Sequence, residues 1–179
     1  MKRIMIIGSG GAGKSTLSRQ LGDILNIPVY HLDAYYWKPG WISTSNDEWD
    51  DFQERLVLEE SWIIDGNYGR TLDIRMTQAD VIILLDFSRW ITTYRVIKRR
   101  LIYHGKTRPD LNEDCPEILD FEFIKWVWNF KKTKIPGIME KLMEYQDKKI
   151  IVLKSPKNVE KLIKQIKTIG VGYFREGEN

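Results

Sequence analysis

The chain has 179 residues, 30% of them charged and 42% hydrophobic, which fits one globular domain with a substantial core. Its net charge of +3 is too small to indicate nucleic-acid binding by itself. No apolar run approaches the roughly 20 residues that span a bilayer. We therefore expect no membrane segment. The single cysteine, Cys115, excludes an internal disulfide, which fits the reducing cytoplasm, so we expect a cytoplasmic protein.

The first informative feature is a glycine-rich motif between a short apolar run, 4–7, and a segment with helical spacing, 16–21. It matches the P-loop pattern G-x-x-x-x-G-K-[ST], in which backbone N–H groups and a helix N-terminus bind phosphates. Lys14 would reach the β- and γ-phosphates, and the Ser15 hydroxyl would ligate Mg²⁺. The predicted phosphate-binding positions are Gly8, Ser9, Gly10, Gly11, Ala12, Gly13, Lys14, Ser15 and Thr16. The sequence therefore predicts binding of a nucleoside triphosphate with Mg²⁺.

Apolar runs alternate with helical segments along the rest of the chain, which indicates a parallel sheet with helices on both faces. The five runs are continuous, as in strands that are buried on both faces. They cover 3–7, 28–32, 62–64, 81–85 and 150–153. We predict one doubly wound α/β domain over 1–179 with a five-stranded sheet; its order, 2-3-1-4-5, is the one that a resemblance to P-loop kinases implies.

Helices are predicted between and after these strands, over 47–59, 90–103 and 159–169, the last capped by Asn158. The segment 121–145 reads as two helices divided near 135–137, where a proline and a glycine fall. The polar segment 104–117 contains glycine and proline, and we predict a mobile excursion there.

An aspartate stands at the end of the second strand, within His31-Leu32-Asp33-Ala34-Tyr35-Tyr36. Ligands of open α/β sheets bind at the carboxyl ends of strands, so Asp33 is a candidate general base or substrate-orienting carboxylate. Its alternative role is that of a helix N-cap. The aromatic residues after it, Tyr36 among them, could wall an acceptor pocket by stacking on a ring.

Two further aspartates compete for the role of steadying Mg²⁺ through water, because each follows an apolar run. Asp65 ends the third run and Asp86 the fourth; the predicted strand order puts the third strand beside the first and favours Asp65. The two histidines and one cysteine form no metal-ligand cluster, so Mg²⁺ with the nucleotide is the only metal expected.

Arginines cluster ahead of and within the polar segment. Arg95 and Arg99 are four residues apart and share a helix face, and Arg100 and Arg108 lie beyond them. Arginine suits the charge that develops on a transferred phosphoryl group, and we assign this role to Arg99 and Arg108. The alternative is a solvated basic face.

A second aromatic group has helical spacing and reads as core: Phe123, Trp126, Val127 and Phe130. Lysines interleave with it, so nucleic-acid binding stays open as a lesser alternative.

Four local segments resemble small-molecule kinases. The stretch 31–36 is similar to the Asp-x-Phe-Tyr segment of uridine and nicotinamide riboside kinases, which implies that Asp33 accepts the proton of the phosphorylated hydroxyl. Asp65-Gly66-Asn67-Tyr68-Gly69-Arg70 resembles the Asp-Gly-Phe-Pro-Arg segment of adenylate kinases, with Asn67-Tyr68-Gly69 in place of Phe-Pro. This implies acceptor contacts from Asp65, Gly66, Asn67 and Arg70. The segment 99–117 is placed like the arginine-bearing lid of those kinases, and Ser155-Pro156 like their adenine loop.

Taken whole, the chain most resembles the adenylate-kinase-related DNA topology modulation proteins. The resemblance and the motifs together imply a kinase that transfers the γ-phosphoryl group of ATP to a small hydroxyl- or phosphate-bearing acceptor. Such an acceptor is a nucleoside, a nucleotide or a similar metabolite. A GTPase is disfavoured, because the guanine motif Asn-Lys-x-Asp is absent. Two alternatives remain: an ATP-binding regulator of DNA topology acting through a partner, and a nucleotide-dependent nucleic-acid-binding module.

Overall fold

A computed structural model describes residues 2–103, 114–116 and 120–174. Its centre is a five-stranded parallel sheet made of β1 (Arg3–Gly8), β2 (Val29–His31), β5 (Trp62–Asp65), β6 (Val81–Leu85) and β7 (Lys149–Leu153). A small antiparallel hairpin, β3 (Trp37–Lys38) and β4 (Ile42–Ser43), stands apart from it. The sheet order is β2-β5-β1-β6-β7. Numbered without the hairpin, this is the predicted order 2-3-1-4-5.

Eight α-helices occur among the described residues, and they cover both faces of the sheet: α1 (Lys14–Leu25), α2 (Leu32–Tyr36), α3 (Asn46–Leu56), α4 (Leu72–Gln78), α5 (Arg89–Ile102), α6 (Phe121–Thr133), α7 (Ile135–Glu144) and α8 (Pro156–Ile169). Short 3₁₀ turns cover Gly69–Thr71 and Gly170–Phe174. The predicted division of 121–145 falls at Lys134, between α6 and α7. No described helix has the length and apolarity to cross a membrane.

The alternation of β1 side chains builds two cores, because successive residues of a strand face opposite sides of a sheet. Met5 and Ile7 join the core beneath α3, α4, α6 and α7, whereas Ile4 and Ile6 join the core beneath α1 and α8. All four are fully buried. Since β1 is central and packed on both faces, the loop that follows it starts from a rigid strand.

Three predicted boundaries were wrong: the end of α3, which falls at Leu56 and not at Glu59, and two that bear on the site. Leu32 was expected to end the second strand, but it begins α2, so Asp33 lies in the first turn of that helix. Helix α8 begins at Pro156 and not at Val159, because Ser155 is its N-cap and its hydroxyl accepts the Asn158 N–H. Pro156 is well suited to this first turn, where no N–H is needed.

Most of the segment predicted to be mobile, including Arg108, lies outside the described residues. Three of its members are described and contact the hairpin region. The backbone carbonyl of Asp114 accepts the Gly40 N–H at 2.9 Å, and that of Pro116 accepts the Trp41 indole N–H at 3.1 Å. Between them, the buried Cys115 contacts the Lys38 carbonyl.

Candidate functional site

The P-loop connects β1 to α1, and two of the glycines between these elements have positive φ. Gly11 has φ +74° and Gly13, the N-cap of α1, has φ +94°, values that side-chain-bearing residues rarely adopt. A Cβ on Gly11 would also collide with the Thr92 carbonyl of α5. These glycines therefore allow the backbone to turn tightly between β1 and α1, so that the loop lies directly before the N-terminus of α1.

Lys14, the first residue of α1, folds back over the loop. Its Nζ donates to the carbonyls of Gly8 at 3.0 Å and Ser9 at 3.1 Å. The ammonium group therefore stands at the loop, beside the backbone that would hold phosphates.

The next residue, Ser15, lies beside Asp65 at the end of β5. The Ser15 hydroxyl donates to Asp65 Oδ1 at 3.3 Å, and the second oxygen, Oδ2, is 2.5 Å from His31 Nδ1. Strand pairing explains the arrangement, because His31 and Asp65 are register partners of β2 and β5. A hydroxyl and a buried carboxylate are oxygen ligands of the kind that Mg²⁺ takes directly or through water.

Asp86, the competing aspartate, is engaged elsewhere. Its carboxylate pairs with Lys131 Nζ at 2.9 Å, and its N–H donates to the Leu153 carbonyl. The geometry therefore favours Asp65 over Asp86 as the partner of Ser15. Within the described residues, no group of three or more His, Cys, Asp or Glu could hold a metal ion by itself.

Asp33 is held by a tyrosine from the loop after β5. The Tyr68 hydroxyl donates to Asp33 Oδ1 at 2.7 Å. Burial, reinforced by the negative charge of Asp33 and by this hydrogen bond, raises the pKa of Tyr68 well above its ordinary value of 10. Tyr68 therefore stays protonated at physiological pH and remains a donor to the carboxylate.

The loop that carries Tyr68 is anchored by a fully buried arginine. Arg75 Nη1 donates to the Gly66 carbonyl at 2.8 Å, and Nη2 donates to the Tyr68 carbonyl at 2.9 Å. Burial lowers the pKa of Arg75 to about 9, so the guanidinium is still charged at neutral pH. Its fork fixes the backbone of residues 66–68.

A cavity of about 1050 Å³ is lined by Lys14, Ser15, Asp33 and Tyr68. One end is bordered by α1 and α8, through residues such as Gln20, Pro156 and Val159, and the P-loop lies at its middle. The other end is bordered by the carboxylate and loop just described and by helices α6 and α7: Asp33, Trp37, Gly66, Asn67, Tyr68, Gly69, Leu72, Phe123, Trp126, Phe130, Lys134, Ile138 and Lys141. Because α1 and α8 cover one face of the sheet and α6 and α7 the other, the two ends of the cavity have different chemical linings.

Arginines from α5 border the same cavity. Arg95 and Arg99 both line it, and Arg95 Nη1 lies 3.4 Å from the carbonyl of Ala12 in the P-loop. Arg95 also packs over the Phe87 ring. Arg100 does not line the cavity, and Arg108 lies outside the described residues.

Comparison with solved structures supports this fold. A shikimate kinase from Acinetobacter baumannii, solved in complex with shikimate, superposes with a TM-score of 0.62 at 13% identity; 97% of this chain and 94% of that chain are covered. A shikimate kinase from Bacteroides thetaiotaomicron superposes with a TM-score of 0.52 at 17% identity, over 93% of this chain and 96% of that chain. The chain has the fold of P-loop kinases. No protein-family model and no curated protein matches it in sequence.

Three residues predicted to meet the acceptor have other partners in the structure. Arg70 forms a two-point ion pair with Asp50, with Nη2 2.7 Å from Oδ2, and it does not line the cavity. This pair lowers the pKa of Asp50 and raises that of Arg70. Tyr36 packs against Trp49 and Tyr68, behind the cavity wall. Asn67 lines the cavity but binds the backbone of Gly8.

Of the two residues predicted to meet adenine, Pro156 lines the cavity and Ser155 caps α8. Gly8 and Ser9 lie beneath the cavity, and the other predicted phosphate-binding residues, from Gly10 to Thr16, line it.

Phe123 and Trp126 were expected in the core, but they line the cavity. Three polar residues that hold the site were not predicted from the sequence at all: His31, Tyr68 and Arg75. Arg75 had one usable signal, since it shares a helix face with Leu72 and Met76, both buried, at the spacing i, i+3, i+4. An arginine at such a position needs buried partners. His31 and Tyr68 gave no comparable signal, because their partners are 34 and 35 residues away in the chain.

Proposed function

We propose that this protein is an ATP-dependent kinase that transfers the γ-phosphoryl group to a small hydroxyl- or phosphate-bearing acceptor. The observation that carries the proposal is that Lys14 and Asp33 line the same cavity. A protein that only binds a nucleotide has no need of a carboxylate held by Tyr68 in the cavity that the P-loop lines. A kinase needs one group for the phosphates and another for the acceptor.

At the donor end, the P-loop amides and Lys14 would hold the phosphates of ATP. Ser15 and Asp65, with His31 behind, would hold Mg²⁺, which neutralises phosphate charge when bound. The adenosine would lie toward α8, near Pro156. Arg95 and Arg99 would face the charge that develops during transfer, and Arg108 remains a further candidate for this role.

At the acceptor end, Asp33 would receive the proton of the attacking hydroxyl. The hydroxyl oxygen bonds to the γ-phosphorus, the bond to the β-phosphate oxygen breaks, and ADP leaves. Tyr68 would keep the carboxylate of Asp33 in place for this proton transfer, because its hydroxyl donates to Oδ1. Transfer of this kind depends mainly on positioning, which the Arg75-anchored loop supplies.

The wall of this end supports an acceptor that contains a ring. Trp37, Tyr68, Phe123 and Trp126 contribute aromatic surface there, and such side chains recognise flat rings by stacking. Lysines border the same end: Lys134 is exposed, and Lys141 is paired with Asp73 at 2.6 Å. These features fit a nucleoside, a nucleotide or a similar metabolite.

A screen of acceptors tests the proposal. Nucleosides, nucleotides and sugars are incubated with the protein and ATP-Mg²⁺, and ADP release is measured. Each nucleoside is compared with its own monophosphate, which separates hydroxyl from phosphate acceptors. ATP binding without acceptor-dependent ADP release would instead support the second candidate, a regulator that affects DNA topology through a partner or through direct nucleic-acid contact.

The donor half of the proposal has its own test in Lys14→Ala. Loss of the ammonium group removes a charge that meets the β- and γ-phosphates, so ATP should no longer raise the melting temperature. Thermal denaturation with and without ATP-Mg²⁺ measures this. Lys125→Ala, at an exposed lysine of α6 outside the cavity, is the control and should keep the full shift. An undiminished shift in Lys14→Ala would contradict the assigned phosphate site.

A further inference from the structure

The side chain of Asn67 continues the β1–β5 ladder after the backbone of β5 has turned away. At the start of the pairing, the Trp62 N–H donates to the Lys2 carbonyl, and at its end the Gly66 N–H donates to the Ile6 carbonyl. Gly66 then has φ +145°, and its own carbonyl is taken by Arg75. The next backbone groups of β1 that face β5 belong to Gly8, because alternate residues face the same neighbour.

Both of these Gly8 groups are bound by Asn67. Its Oδ1 accepts the Gly8 N–H at 2.9 Å, and its Nδ2 donates to the Gly8 carbonyl. The amide thus does what one more rung of the ladder would do. Since Gly8 is buried, its polar groups need such partners.

The Gly8 carbonyl is shared, because Lys14 Nζ also donates to it, at 3.0 Å. A nucleoside triphosphate would draw this ammonium toward its phosphates. The buried carbonyl would then lose one donor but keep the other, the amide of Asn67. Lys14 can therefore move away without leaving the buried Gly8 carbonyl unsatisfied. An unsatisfied buried acceptor would lower stability.

We propose that Asn67 is a positioning residue of the phosphate site, which fixes Gly8 and frees Lys14 to meet the triphosphate. The inference rests on the proposed function, in that it assumes ATP at the P-loop. It also accounts for a departure from the adenylate-kinase-like segment: the residue that stands at this position binds the P-loop strand and not the acceptor.

The test is Asn67→Leu, which is similar in size and removes both hydrogen bonds. We expect its affinity for ATP-Mg²⁺ to fall by roughly 10-fold or more, the worth of a buried hydrogen-bonding partner. Affinity for AMP should change little, because a single phosphate stops short of the position where Lys14 meets the β- and γ-phosphates. Asn129→Leu, at a residue of α6 outside the cavity, is the matched control and should bind both nucleotides normally.

ATP affinity within about twofold of the parent, or equal weakening of ATP and AMP, would overturn the proposal. Asn67→Asp covers the case in which Asn67→Leu does not fold. It keeps the acceptor for the Gly8 N–H but places a carboxylate oxygen beside Lys14, so ATP should bind more weakly still; normal affinity overturns the proposal. The proposed function fails separately, if the parent binds no ATP. Binding that Lys14→Ala abolishes and Asn67→Leu preserves overturns only the role of Asn67.

Discussion

Asp33 is held in place by one hydrogen bond, from the Tyr68 hydroxyl to Oδ1, and it lines the cavity in which the proposed acceptor hydroxyl would lie. The role of N-cap, considered from the sequence, does not apply, since Asp33 is the second residue of α2 and His31 precedes the helix.

Asp33→Asn should separate acceptor chemistry from ATP binding. The change is nearly isosteric, and the amide oxygen can still accept from Tyr68. ATP affinity should survive, whereas the transfer rate should fall by roughly 10²–10⁴-fold, the usual contribution of a general base. Single-turnover transfer and ATP titration measure the two effects, with Asp51→Asn on the exposed face of α3 as control. Full-rate transfer in Asp33→Asn would remove the carboxylate from the mechanism.

Tyr68 predicts an alkaline limit to stability. Its pKa in the folded chain is raised above the ordinary value of 10, so the unfolded chain releases the proton first as the pH rises. The stabilisation is complete below pH 10 and is lost as the pH climbs above that value. Tyr68→Phe should therefore show a smaller loss of unfolding free energy at high pH than the parent.

Urea unfolding between about pH 8 and pH 11 measures this difference. Tyr94→Phe, at a tyrosine that is 64% exposed, is the control. A pH dependence in Tyr68→Phe identical to that of the parent would mean that the tyrosine is not buried against Asp33.

At the scale of elements, the P-loop is confined from outside by helices α5 and α6. The carbonyl of Thr92 and the side chain of Val96 crowd Gly11, and a Cβ on Gly10 would lie 2.8 Å from the Phe123 ring. The glycines thus allow the shape of the loop, and the packing of α5 and α6 maintains it. The glycines can be recognised in the motif, whereas the packing cannot be predicted from the sequence.

Gly11→Ala and Gly40→Ala form a matched pair that isolates this packing. Their φ angles are +74° and +76°, so the strain of a positive φ is common to both, but the space around Gly40 is open. Gly11→Ala should therefore cost about 1–3 kcal/mol more, the usual price of overpacking. Urea unfolding of both variants measures the difference. Equal costs would show that α5 does not confine the loop.

Across the whole molecule, the sequence predicted what depends on local pattern. Continuous apolar runs predicted the five strands, and the resemblance to P-loop kinases predicted their order. Lys14 and Ser15 belong to a motif, and Asp33 and Asp65 were expected at strand ends; the structure brings all four to one region, although Asp33 lies in α2. The placement of these residues is observed, whereas their chemical roles are those proposed above.

What could not be predicted depends on contacts between distant segments. Arg70 was assigned to the acceptor from its place in a kinase-like segment, yet Asp50 of α3 binds it on the exposed side. Nothing in either segment indicates that pairing, which arises from how α3 packs beside the loop. The same reason hid Tyr68 from the sequence, because only the folded sheet places it against α2.

Two of the seven tryptophans, Trp37 and Trp126, line the cavity, and this gives the protein a built-in optical reporter. A ring that stacks on an indole alters its emission, so acceptors could be screened by intrinsic fluorescence without a coupled assay or any turnover. The response should disappear in a variant carrying Trp37→Phe and Trp126→Phe, and should persist in Trp90→Phe, at an indole that is 71% exposed. A response that survives the double change would come from a site elsewhere. A collection of unlabelled metabolites could thus be screened for binding by tryptophan fluorescence before phosphoryl transfer is assayed.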